Sequence, residues 1–181
     1  MKTKPIKFLA LASLLAVFAV AVIAVAPDSQ AQSGKESANG HGTLLALNGD
    51  GDSVRRQFSF SARRSADGSV KGNAVLHNPA FTNENGQKYQ LQIDISCMKL
   101  IGNVAFFGGT TRRTNDPNLV DAVYFSVQDN GEPGRDRDKI SRVFFFDDDP
   151  NTTGDPQLCQ GNVLGDFPLE TIESGNIQVR P

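Results

Sequence analysis

Acidic side chains at alternate positions are the first residues in this chain that suggest chemistry. DDDPNTTGD, residues 147–155, sets Asp147, Asp149, Asn151, Thr153 and Asp155 two apart, the spacing at which the oxygens of a calcium loop converge on the ion. A full helix–loop–helix site also needs glycine at its sixth position and a bidentate glutamate at its twelfth, and here those are Thr152 and Leu158. Two readings follow. One is a less regular Ca²⁺ site built on Asp147, Asp149, Asn151 and Asp155. The other is a solvated turn, because Asp, Asn, Gly and Pro are also the residues that turns need for backbone reasons. NGDGDS, from Asn48, has the same look and places Ser59 where the closing glutamate would stand.

Nucleophilic catalysis has less to work with. The chain has two histidines, His41 and His77, and no G-x-S-x-G elbow, so no catalytic set is assigned. Asp94 is the one acid inside the cleanest strand pattern. With His77 it is the natural choice if the fold encloses an acid or histidine, as a barrel-type isomerase or hydrolase would require. Carbohydrate recognition favours Trp and Tyr platforms with a polar edge. Trp is absent here and only Tyr89 and Tyr124 are present.

Cys97 and Cys159 are the only cysteines. Their reading depends on compartment, since disulfides persist where the surroundings are oxidising. The N-terminus supplies that context: Lys2, Lys4 and Lys7 precede an apolar run over residues 8–26, and Ser29 and Ala31 are the small residues before a cleavage point. This is the pattern of a secretory signal over residues 1–31. An uncleaved membrane anchor is the rival reading, because the run approaches the length that spans a bilayer. Either way the rest is extracytoplasmic, and the cysteines are expected to pair. Such a bridge closes a loop of about sixty residues and contributes on the order of 4 kcal/mol by chain entropy.

Beyond the signal, 15 basic residues face 19 acidic ones. Nucleic acid requires a concentrated basic face, and the arginine pairs Arg55–Arg56, Arg63–Arg64 and Arg112–Arg113 read as scattered surface charge. No nucleic-acid partner is expected.

The elements that position these groups are strands. In YQLQIDISC, Tyr89, Leu91, Ile93, Ile95 and Cys97 alternate with polar residues, which predicts one buried face. Phe58, Phe60 and Ala62 repeat the pattern, as do Val70, Gly72, Ala74 and Leu76. Asp67-Gly68 and Asn85-Gly86 are hairpin signals between them. Further strands are predicted in GTLLALNG, NVAFFGGTT, VDAVYFSV, ISRVFFF and GNIQVR, with a long hairpin tip, DNGEPGRDRDK, over residues 129–139. About eight strands at hairpin spacing predict an all-β fold. An antiparallel barrel, lipocalin-like by analogy, is favoured because the terminal strands can pair and glycines interrupt strands; a sandwich is the alternative. Residues 32–40 read as a flexible lead-in and 41–181 as a single domain.

Twelve phenylalanines, three of them consecutive at 144–146, exceed what carbohydrate binding needs. Successive strand residues point to opposite faces, so the triplet implies either a strand covered on both sides or an apolar cavity or patch. Finally, DISCMKLIGNVAFFGG, VQDNGEPGRDRDKIS and SGNIQVR resemble segments of a group of exported bacterial all-β domain proteins, in which D-I-x-C and G-N-x-A precede a D-N-G-E-P-G loop. The resemblance implies an extracytoplasmic β-domain with Cys97 in a strand, and it implies no activity. The expectation is a non-enzymatic exported domain that binds a small apolar ligand or a protein or envelope partner. A barrel-type enzyme and a calcium-stabilised adhesion module are the alternatives.

Overall fold

The computed structural model describes residues 35–47, 50–83, 85–116, 119, 121–146, 154–161 and 167–181. The N-terminal stretch read as a secretory signal, residues 1–31, lies outside them. Among the described residues no helix is long and apolar enough to cross a membrane.

The protein is all-β. Its strands are β1 (Ser37–Leu47), β2 (Ser53–Arg64), β3 (Val70–Thr82), β4 (Lys88–Ile101), β5 (Val104–Thr114), β6 (Ala122–Gln128), β7 (Lys139–Ser141), β8 (Phe144–Phe145), β9 (Leu169–Thr171) and β10 (Ser174–Arg180). Alternation drives the long ones. In β2, Arg56, Phe58, Phe60 and Ala62 are buried while the residues between them are exposed. Both predicted turns form. Gly68 and Gly86 take φ of 83° and 72°, a region open to glycine without steric cost. Beside Gly68, the Ser69 hydroxyl and amide donate to Asp67 and hold its carboxyl below the ordinary carboxylate pKa.

One continuous antiparallel sheet runs β10-β1-β2-β3-β4-β5-β6-β7-β9, with β8 also paired to β6. This excludes the two-sheet sandwich. The terminal strands do pair, from Ser37 opposite Arg180 to Thr43 opposite Ser174. The strand therefore begins at Ser37, inside the stretch read as a lead-in, and Ala38 is fully buried. Phe60 of β2 and Phe125 of β6 have ring centroids 5.9 Å apart. Four strand steps of about 4.8 Å would separate those strands by roughly 19 Å in a flat sheet. The sheet is therefore curled into a barrel-like half-shell around its own core.

The seam of that shell is sealed by side chains instead of a ladder. On the edge of β10 away from β1, the amides of Ile177 and Val179 donate to Asp138 Oδ2 at 2.8 Å and Asp129 Oδ2 at 3.0 Å. Asp138 is fully buried, and its other oxygen accepts the Asn130 amide at 2.8 Å. Its backbone carbonyl accepts the Ile172 amide. An edge strand left bare would present unpaired amides for aggregation, and this loop supplies their acceptors. Gly134 is required here for space, since a Cβ would lie 2.0 Å from Asp138 Oδ2.

One expectation about facing is corrected. A register shift between Ile95 and Cys97 inserts Ser96 as an extra residue opposite β5. Such a bulge reverses which side chains face inward. Met98 joins the core in place of Cys97, which packs on the outer face with Ala122, Tyr124 and Cys159.

Candidate functional site

The interior is not uniform along its length. Towards one end Phe60, Phe107 and Phe125 pack ring against ring, with centroids 4.7 to 5.9 Å apart. Towards the other end the same inner faces enclose a cavity of about 350 Å³. Its apolar wall includes Leu44, Phe58, Leu76, Leu91, Ile140 and Phe145. The alternation that builds the core also builds this wall, so the cavity arises where inward side chains fail to meet and not from a break in the sheet.

Arg56 and Arg142 line the same cavity. Arg56 is only 8% exposed. Its guanidinium pairs with Glu170 through Nη2 and Oε2, while Arg142 Nε reaches the other carboxylate oxygen, Oε1, at 3.0 Å. Arg56 Nε has no hydrogen-bond acceptor among the described residues. Desolvation, followed by repulsion from Arg142, lowers the Arg56 pKa from the ordinary guanidinium range to about 10. The group comprises two cations and one anion, so when all are ionised it carries one net positive charge beside an apolar wall.

Arg56 overturns the reading of the arginine pairs as surface charge. Arg55 faces solvent beside Glu173, while Arg56 points in. Arg64 is likewise recruited: its Nε meets Glu36 at 2.6 Å and its Nη1 donates to the Gly68 carbonyl at 3.1 Å. The signal that finds Arg56 is in the sequence, because the inward period Phe58, Phe60, Ala62 extended back two residues lands on it.

Asp94 does not reach the cavity, whereas His77 is among the residues that border it. Asp94 is on the exposed face, 3.4 Å from Arg112. His77 is opposite Gln57 and Gln90 at outward register positions. With His41, Ser59, Val75 and Ser174 it also borders a second, more open groove. Of the two groups named for a lumenal enzyme, Asp94 therefore faces away and His77 stands at the cavity's border.

Of the proposed calcium ligands, Asp147, Asp149 and Asn151 lie outside the described residues. Asp155 caps the 3-10 helix Pro156–Gln160, accepting the Gln157 amide at 2.8 Å. Among the described residues no group of three or more His, Cys, Asp or Glu could hold a metal ion. Cys97 and Cys159 sit at disulfide distance, with Cα atoms 6.1 Å apart, and so fasten this helix to the outside of β4. Pro156 approaches Gly108 so closely that a Cβ there would lie 2.0 Å from its carbonyl oxygen. Tyr124 donates its hydroxyl to the Asp155 carbonyl at 2.7 Å. Burial, then the charges of Asp121 and Asp155, raises its pKa.

The phenylalanine triplet divides as strand geometry requires. Phe145 turns towards the core and the cavity, and Phe144 stacks on Phe167 with ring centroids 3.9 Å apart on the other side. Phe146 is 47% exposed. No protein-family model matches this chain, and neither a curated protein nor a solved structure does.

Proposed function

We propose that this is an exported, non-enzymatic β-domain that holds a small, largely apolar ligand inside its curled sheet. The observation that carries the reading is the cavity of about 350 Å³ with nine aliphatic or aromatic residues among those lining it. Its size is at the lower end of the range of small-molecule sites, roughly 300 to 1,000 Å³, and its apolar lining with a few polar groups has their chemistry. The basic and apolar N-terminal pattern and the cysteine pair support export, because the pair persists only in an oxidising compartment. The outward, exposed position of Asp94 weighs against its use as a lumenal acid in an enzyme of the same architecture.

A neutral fluorophore that brightens in apolar surroundings, N-phenyl-1-naphthylamine, tests this. Titrated into the protein, it should saturate at one equivalent. Leu76→Trp, which fills the cavity, should abolish the signal. Non-saturable binding, or binding undiminished by Leu76→Trp, would remove the cavity as the site.

A further inference from the structure

We infer that the ligand is an anionic amphiphile, whose apolar body occupies the cavity and whose carboxylate or equivalent oxyanion head is received by Arg56 and Arg142. This rests on the cavity being the binding site and adds the chemical class of what binds there.

An arginine among Leu44, Phe58 and Leu91 is unfavourable for stability alone. Removing a guanidinium from water costs several kcal/mol, which a single ion pair often fails to recover. Apolar residues of the same volume would serve the core better. Arg56 also keeps an unused donor: its Nε lies beside the cavity with no acceptor among the described residues. Guanidinium is the side chain suited to a planar two-oxygen acceptor, since it donates through a fixed fork of N–H groups.

Charge balance agrees. Glu170 is shared by Arg56 and Arg142, so one carboxylate faces two guanidiniums. A ligand carboxylate restores neutrality without displacing any group. Exposure also grades along the set: the Arg56 side chain is 10% exposed and that of Arg142 64%. The head is therefore met by an exposed cation first and a buried one second, and the buried contact counts for more because water screens it less. The more open groove bordered by His41 and Val75 has no comparable feature, since no buried charged side chain lines it.

Decanoate and decanol make the comparison, since they share an apolar chain and differ in the head. Each is titrated against the bound naphthylamine. Decanoate should displace it at a concentration about tenfold or more lower than decanol, the range expected for hydrogen bonds to a charged group. Arg56→Gln should erase that preference and leave decanol unchanged. Should Arg56→Gln fail to fold, Arg142→Gln on the exposed side should still narrow the gap. In Glu170→Gln, which removes the competing carboxylate, decanoate should raise the melting temperature further than it does in the unaltered protein. If decanol competes and decanoate is no better, the anion reading is overturned while the cavity stands. If neither competes and the fluorophore does not bind, both fall.

Discussion

The two ends of the interior are built by the same strands and differ in outcome. At one end Phe60, Phe107 and Phe125 interlock. At the other, Leu44, Leu76, Ile140 and Phe145 surround open space with Arg56 at its side. β3 crosses both: Ala74 is 1% exposed in the packed part, and Leu76, two residues on and on the same face, lines the cavity. The comparison separates two uses of one inward-facing pattern. Where aromatics meet, burial supplies stability. Where they do not, the molecule retains room and an unfavourably placed charge, which is how a binding site differs from a core.

The packed end should yield the largest effect. Phe107→Ala removes a fully buried ring and should cost about 3 to 5 kcal/mol in urea unfolding. A loss below about 1 kcal/mol would mean that this end is also hollow.

The buried ion pair gives the next test, with the opposite sign. Replacing Arg56 by Met and Glu170 by Leu together should leave stability unchanged or raise it by up to about 4 kcal/mol, because apolar groups avoid the desolvation cost of the pair. The same double variant should lose any preference for decanoate. Marked destabilisation with ligand preference retained would reverse the roles assigned to the two ends.

A smaller contrast lies within β3. Ala74→Leu should cost about 1 to 3 kcal/mol by overpacking. Leu76→Trp should cost less than Ala74→Leu in the same denaturation experiment, since its added volume enters existing space. Equal costs would erase the distinction between filled and open interior.

Much of the fold was legible before any coordinates. Period-two runs in β2, β3 and β4, together with Asp67-Gly68 and Asn85-Gly86, are local signals, and local geometry answers them directly. That the first and last strands could pair was part of the case for a barrel, and they do pair. The loop over residues 129–139 was read as a long hairpin tip. It is a turn, yet Asp129 and Asp138 have a further task as acceptors for the free edge of β10. No local pattern announces that role, because the partners are separated by 50 and 39 residues in the chain.

The cavity lies further still from what a linear pattern expresses. A sequence specifies which side chains point inward, through alternation. It does not specify how far apart opposing walls stand, since that distance depends on curl and register accumulated across many strands. Arg56 illustrates both halves of the point: its inward facing follows from Phe58, Phe60 and Ala62, whereas its nearness to Arg142, Glu170 and an apolar hollow is a product of the curled sheet. Ser96 makes the same case for Cys97, where one bulged residue turned the thiol outward towards Cys159. The sequence by itself therefore determined an all-β chain, its turns and its cysteine pairing. Tertiary structure alone decided where the interior was left open and which charge faces it, because empty volume is set by long-range packing and not by the residues of any single strand.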